Sequence, residues 1–554
     1  MLISSIPLAQ TITQLCLDKD INHIVICPGS RNAPLTISFT ENENFTCYSI
    51  VDERCAAFFA MGLAQQLQHP VAVVCTSGSA LLNFYPAVAE AFYSDIPLVV
   101  ISADRPAEKI DIGDGQTIRQ QNVFANHILY SANLSAEQNL QLENEKELNT
   151  ALNTATELNG PVHINAPFEE PLYNTVNQPT IHPQHVAPRL AEHRLTESLE
   201  EFVSLWNKSQ KKMILVGVLP PNSVAAEIVE QLANDPSVLV LTETTSNLHH
   251  DNFISCIDQL ITTLSHEEFA DLQPDILLTF GGMVVSKRIK AFLRKYKPAQ
   301  HWHIDAKKAY DTYFALSQQF KININTFLNT FLRETHSVKS NYQKQWLAVK
   351  KYRQEKHSHY LNTIPFSDLK AFEWFLTHIP KNTQLQISNS AAIRYAQLFQ
   401  LDASLTVFCN RGTSGIDGST STAIGAALAS KQAVTLLTGD LSFFYDSNAL
   451  WNTYIPTSFR IIVVNNSGGG IFRILPGNKN TENFDRYFET THNLTAKQLC
   501  DMFGLEYHRA SNESELENSW RDFYTQSNTP KLLEVFTDRL QNDDILINYF
   551  KALR

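Results

Sequence analysis

The chain has 554 residues, 44% of them hydrophobic and 18% charged. At about 100–200 residues per domain this is three or four folded units, and the composition excludes long disordered tracts. Lys+Arg 44 against Asp+Glu 56 gives a net charge of −12, which makes the chain a poor candidate for a sequence-independent nucleic-acid binder.

Met1–Pro7 lacks the basic and sustained apolar parts of a signal peptide. Apolar runs such as Ile96–Ile101 and Arg460–Val464 are of strand length, so no membrane span is expected. The cysteines at 16, 27, 47, 55, 75, 256, 409 and 500 form no CxxC pair. They read as buried free thiols in a reducing, cytoplasmic compartment.

In chain order, His23–Cys27 reads as a strand ending at Pro28-Gly29, with a helix from about Ala33. Thr46–Val51 is a second strand. Glu53–Gln66 follows as a helix, with Cys55, Ala56, Phe59, Ala60, Leu63 and Ala64 at helical spacing. Val71–Cys75 and Pro97–Ser102 are further strands with helix between them. Prolines accumulate at 167, 171, 179, 183 and 188, so 170–195 is expected to be a linker. Strands resume at Lys212–Val218, Ser237–Thr242, Asp275–Phe280 and His301–Ile304. A charged break is expected from Glu334 to Lys356. The last strands fall at Gln384–Ser388, Leu405–Phe408, Val434–Thr438, Arg460–Asn465 and Lys531–Phe536. Buried strands alternating with helices predict an α/β class: three consecutive doubly wound domains with mainly parallel sheets, at 1–180, 190–335 and 355–554.

Ligands of such sheets bind beyond the carboxyl ends of the strands. There, Gly439-Asp440-Leu441-Ser442 follows one strand and Asn465-Asn466-Ser467-Gly468 follows the next. The distance from Asp440 to Asn466 leaves room for one crossover helix, so a carboxylate and an amide reach the same edge. Asp440, Asn466 and the Gly468 carbonyl are an oxygen set suited to Mg²⁺ (or Mn²⁺), which takes few protein ligands plus phosphate oxygens. Glu53 opens the helix after Thr46–Val51; by itself it reads as a first-turn carboxylate favoured by the helix dipole. Cations gather at strand ends: Arg31 in Pro28-Gly29-Ser30-Arg31, Arg105, Lys287-Arg288, Arg394 one turn after Ser390, and Arg411 in Arg411-Gly412-Thr413-Ser414-Gly415-Ile416-Asp417-Gly418. Together they suit a substrate with several carboxylates, gripped by guanidinium forks.

Gly-Asp followed some 25 residues later by Asn-Asn resembles the thiamine diphosphate-dependent enzyme family, with Leu441 where its members usually carry a third glycine. The Pro-Gly-Ser-Arg, Arg-Gly-x-Ser-Gly-Ile-Asp-Gly and Asn-Asn-x-Gly-Gly-Gly-Ile-Phe stretches resemble, over nearly the whole chain, the branch that serves menaquinone (vitamin K2) biosynthesis. The resemblance implies a pyrimidine-binding, a middle and a diphosphate-binding domain. It implies a homodimer or dimer of dimers, with thiamine diphosphate between the first domain of one subunit and the third of its partner. It assigns Glu53 to N1′ of the aminopyrimidine, whose 4′-imino group then removes the C2 proton. Gly439, Asp440, Leu441, Ser442, Asn466 and Gly468 would hold the diphosphate and metal. Ile416 would prop the bent cofactor, with Ile471, Phe472 and Leu475 lining the pocket. The implied transferase reaction decarboxylates 2-oxoglutarate and adds the succinyl-semialdehyde carbanion equivalent to isochorismate in a Stetter-like 1,4-addition. Ser390 and Arg394 would take the distal carboxylate of 2-oxoglutarate. Ser30, Arg31, Arg105, Lys287 and Arg288 would take isochorismate, and Gln116 and Arg411 would sit at the reacting centre. Gly115 stands where relatives often carry asparagine. The alternative is another carboligase or decarboxylase of the family, such as an acetolactate-synthase-like enzyme; pyruvate, with one carboxylate, leaves the extra arginines unexplained.

Overall fold

A computed structural model describes residues 2–189, 198–475, 477, 479 and 481–554. Three sheets dominate it. The first runs Thr46–Ser49, His23–Ile26, Val71–Cys75, Leu98–Asp104, Val162–Pro167, Tyr130–Asn133, every neighbour parallel. The second runs Val238–Leu241, Lys212–Val216, Ile276–Phe280, Gln300–Ile304, Leu316–Phe320, also parallel. The third runs Thr406–Phe408, Gln384–Ile387, Val434–Gly439, Arg460–Asn465, Lys531–Phe536, Glu506–Ala510 in the same sense. Central strands such as Val71–Cys75 are buried along their whole length, because helices cover both faces. The expected three α/β units are therefore present.

The first and third units share one apolar core. The Glu53–Leu67 helix packs along the Ser419–Ala429 helix, and Phe58, Phe59, Met61 and Leu63 join Ala423, Ile424, Leu436 and Val463 in a single cluster. Glycine sets the approach at the crossing. A Cβ on Gly62 would lie 2.1 Å from the Thr422 carbonyl oxygen, and one on Gly425 would lie 2.1 Å from that of Phe59.

Two organisational expectations need correction. The charged stretch 334–356 is not a break: Tyr342–Leu361 is a 20-residue helix. Trp346 is buried in the middle unit's core and Leu361 in the third's, so the helix is a strut between them. Apart from the buried Gln343 and Arg353, its polar residues are exposed or half-buried, so its composition resembles that of a linker. The proline-rich stretch is also tied down over much of its length. Thr175–Val176 pairs antiparallel with Ile3–Ser4, and the Val186 backbone is bonded to Asn149, Asn153 and Lys19. Positions 190–197 of the expected linker lie outside the described residues. All eight cysteines are free; Cys47 and Cys256 are half-buried and the other six buried. Among the described residues no helix is long and apolar enough to cross a membrane.

Candidate active site

Val434–Gly439 and Arg460–Asn465 are neighbouring parallel strands with Gly439 opposite Val464, so Asp440 and Asn466 leave the sheet at one edge. Asp440 is buried at the start of the Asp440–Tyr445 helix. Its Oδ1 accepts from Leu441 N at 2.7 Å and its Oδ2 from Gly468 N at 3.0 Å. Gly468 has φ +154°, and a Cβ there would meet the Glu489 carbonyl oxygen at 2.8 Å, so the turn that brings its N–H to Asp440 is reserved for glycine. A Cβ on Gly439 would meet nothing within 4 Å, which leaves open space in front of the strand end.

Asn466 supplies the fit test for a cation. Its Nδ2 donates to Asp368 Oδ2 at 2.9 Å, while its Oδ1 is buried without a hydrogen-bond partner. An acceptor left desolvated and unpaired costs about 1–3 kcal/mol, unless something absent from the chain satisfies it. Burial pushes the Asp368 carboxyl up to about 6, and the Asp440 charge adds to the rise. His492 Nε2 lies 3.2 Å from Asp440 Oδ2. This is an oxygen-rich pocket with excess negative charge, and a hard divalent cation fits it. Ser442 Oγ donates to the Ile416 carbonyl at 3.0 Å, tying the 411–418 loop to the Asp440–Tyr445 helix. Ile416 and Ile471 are half-buried; Phe472 and Leu475 are exposed.

Glu53 is the first residue of its helix, which Asp52 caps by accepting from Cys55 N at 3.0 Å. It is partly exposed and accepts from Asn83 Nδ2 at 3.4 Å. It lies beside Cys27 and Cys75 at two strand ends, and its charge adds to the burial that drives both thiols upward. The segment around it is fastened to the third unit of the same chain. Arg54 donates to the Tyr445 carbonyl at 2.9 Å, Asn448 donates to Asp52 at 2.8 Å, and the Tyr454 hydroxyl accepts from Ser49 N at 2.9 Å. Among the described residues no hydrogen bond or ion pair joins Glu53 to Asp440, Asn466 or Gly468.

The six cations fall into two groups. In the first unit Ser30 is exposed, and Arg31 is buried, donating to the Phe168 carbonyl at 3.0 Å and to Glu170 at 3.3 Å. Arg105 lies 3.5 Å from Asp114 and near Asp104. Gln116 is exposed at φ +54°, its carbonyl accepting from Ser77 Oγ at 2.9 Å. The sequence did not point to Gln120, which is buried and bonded to Gly78 N, the Ala103 carbonyl and Asn165, and so pins this loop to the sheet edge.

The second group lies between the middle and third units. Ser390 sits at φ +67° after its strand, and Arg394 Nη1 donates to its carbonyl at 2.5 Å. Arg411 is buried and donates to Asn389 Oδ1 at 2.7 Å. Arg288 lies over the Phe550 ring and 3.9 Å from Asp258, while Lys287 is exposed. Burial lowers the pKa of Arg394, the Arg411 charge lowers it further, and Asp258 opposes both. A pocket that crowds guanidinium groups in this way attracts a carboxylate. Lys290, also depressed by burial and by Arg411, is a cation that the sequence did not single out.

Known proteins agree with this architecture. Residues 6–128 match the family described as thiamine pyrophosphate enzyme, N-terminal TPP binding domain. Residues 184–387 match the middle domain of thiamine pyrophosphate, and 390–535 the C-terminal TPP binding domain. The chain thus belongs to the thiamine diphosphate-dependent enzymes. It is 57% identical to a protein of Christiangramia forsetii, over 100% of this chain and 99% of the relative. It is 58% and 56% identical to proteins of Flavobacterium psychrophilum and Flavobacterium johnsoniae, over all of both chains. All three are named 2-succinyl-5-enolpyruvyl-6-hydroxy-3-cyclohexene-1-carboxylate synthase, and within the larger group this chain belongs to that synthase family.

Proposed function

We propose that the protein decarboxylates 2-oxoglutarate and adds the four-carbon remainder to isochorismate, giving 2-succinyl-5-enolpyruvyl-6-hydroxy-3-cyclohexene-1-carboxylate and CO₂ in menaquinone biosynthesis. The observation that carries this reading is the crowding of Arg394 against buried Arg411, with Arg288 and Arg394 both acting on Asp258, in a chain whose full-length relatives bear that synthase name. Thiamine diphosphate, when bound, supplies the thiazolium that takes up the electron pair released by decarboxylation.

The chain's own residues bind, orient and hold protons. Asp440, Asn466 and the Gly468 carbonyl would hold Mg²⁺ or Mn²⁺ against the diphosphate, with Gly439, Leu441 and Ser442 lining the strand end. Glu53 would hold a proton at N1′ of the aminopyrimidine. Ile416, Ile471 and Phe472 would exclude water from the reacting carbon. Ser390 and Arg394 would orient the distal carboxylate of 2-oxoglutarate. Ser30, Arg31, Arg105, Lys287 and Arg288 would take isochorismate, Gln116 and Arg411 would face the reacting atoms, and Leu475 would close the pocket.

Among the described residues no hydrogen bond or ion pair joins Glu53 to Asp440, and Phe472 and Leu475, which follow the proposed metal ligand Gly468 in the chain, are exposed. Both features support a homodimer, or a dimer of dimers, whose first domain (1–180) completes the site on the partner's third (355–554), with 190–335 between them. We place the enzyme in the cytoplasm, which its free thiols favour. The test is incubation with isochorismate, 2-oxoglutarate, thiamine diphosphate and Mg²⁺ with mass detection of the adduct. Turnover of pyruvate in preference to 2-oxoglutarate would overturn the proposal.

A further inference from the structure

An asparagine ligand carries an ambiguity. The two ends of its amide are almost the same size, yet only the oxygen can bind a hard cation. Asn466 therefore needs something that decides which end faces the metal.

Asp368 is in place to do so. It is buried at the first position of the Asp368–His378 helix, capped by Ser367, and its Oδ2 accepts from Asn466 Nδ2 at 2.9 Å. Its Oδ1 accepts from Thr537 Oγ at 2.5 Å, and its backbone N–H donates to Asn542 Oδ1 at 2.8 Å. Asn542 Nδ2 donates to Thr537 Oγ at 3.2 Å, and Thr537 N donates to the Asn465 carbonyl at 3.2 Å. This closes a ring of polar groups behind the metal edge. An ionised carboxylate only accepts hydrogen bonds. With the amide reversed, Asn466 Oδ1 would face Asp368 Oδ2, two acceptors in contact without water, and Nδ2 would point into the cation site.

We propose that Asp368 is the positioning residue of the metal site. It turns the Asn466 amide so that Oδ1 faces the cation, and Thr537 and Asn542 hold Asp368 in turn. The inference rests on Asn466 being a metal ligand, as proposed above. Asp368, Thr537 and Asn542 all lie outside the 390–535 segment that matches the C-terminal TPP-binding family.

The test is the dissociation constant of Mn²⁺, read from the free-ion electron paramagnetic resonance signal with thiamine diphosphate saturating, alongside a melting curve for each variant. Losing an outer partner of a ligand typically weakens metal binding about 10–100-fold, and Asp368→Ala is expected in that range. In D368A a water takes the vacated place and donates or accepts equally well, so the amide direction is no longer fixed. Asp368→Asn is expected to stay within about 3-fold, because its amide oxygen still accepts from Asn466 while Thr537 Oγ turns to accept. Asn466→Ala is the reference for loss of the ligand. Weakened binding in N466A with wild-type binding in D368A overturns the positioning role. Wild-type binding in N466A overturns the ligand reading beneath it. Should D368A fail to fold, Thr537→Val decides: weaker Mn²⁺ binding is expected, and unchanged binding overturns the proposal.

Discussion

Replacing Gly62 by alanine would place a methyl carbon 2.1 Å from the Thr422 carbonyl oxygen and 2.9 Å from Ala426 N. Ordinary contact begins near 3.5 Å, so the two helices would have to part by roughly 1.4 Å. No side chain can swing aside, because the clashing atoms are backbone, and the reciprocal Gly425–Phe59 approach blocks sliding the other way. Overpacking of this kind costs about 1–3 kcal/mol. Against it, alanine in a helix interior gains about 0.8–1 kcal/mol over glycine. With backbone on both sides the steric cost sits at the top of its range, leaving a net loss of about 2 kcal/mol. The assay is the thermal midpoint of G62A against wild type without cofactor, with thiamine diphosphate and Mg²⁺ affinity measured in parallel. The expected result is a lower midpoint and weaker cofactor binding, since the shifted helix carries Glu53 at its start. A midpoint equal to or above wild type would refute the crossing as described.

Arg394→Ala removes a charged donor from the guanidinium pocket; hydrogen bonds to charged groups are worth about 1.5–3 kcal/mol, so KM for 2-oxoglutarate should rise roughly 10–100-fold. An unaltered KM with isochorismate handling lost would reassign the residue. Asp446 is fully buried between the Glu53 helix and the third unit, and accepts from Ser421 N at 2.7 Å and Ser421 Oγ at 2.8 Å. Burial raises its carboxyl from 3.8 to about 7, only partly offset by those bonds and Arg54. The folded state therefore keeps a proton that the unfolded chain has released. This contribution to stability is present below about pH 4 and is lost as pH climbs to about 7, on the order of 4 kcal/mol in all. Asp446→Asn abolishes it, so the variant's melting temperature should gain on wild type between pH 5 and pH 8; a difference independent of pH would contradict the shift.

What the sequence revealed follows the physics of burial. Central strands such as Val71–Cys75, Arg460–Asn465 and Lys531–Phe536 are buried, mostly apolar runs set by helices on both faces, and their ends are legible to the residue. The strands that went unread are polar. Tyr130–Asn133, Leu316–Phe320 and Glu506–Ala510 are sheet edges, where half the strand meets solvent. Val162–Pro167 is interior yet carries His163 and Asn165, whose polarity is answered by Ser102, Gln120 and Asp104 from elsewhere in the chain. The site divides the same way. Asp440 and Asn466 follow strands directly and Glu53 opens the helix after one, so position along the chain betrays them. Asp368 and Gln120 are bonded to partners distant along the chain, such as Asn466 and Asn165, and Lys290 is picked out only by burial and the Arg411 charge, so no local pattern marks these residues. The Tyr342–Leu361 strut was missed for a related reason: its buried residues are few and widely spaced, so it lacks the apolar stripe by which a helix is read.

The most direct test of the account is the rate at which the C2 hydrogen of bound thiamine diphosphate exchanges with deuterium in wild type and in Glu53→Gln, followed by quenched flow and NMR with Mg²⁺ saturating. If Glu53 holds the proton at N1′, the exchange should slow by roughly 10²–10⁴ while the cofactor remains bound. Exchange at the wild-type rate in fully loaded E53Q would contradict it.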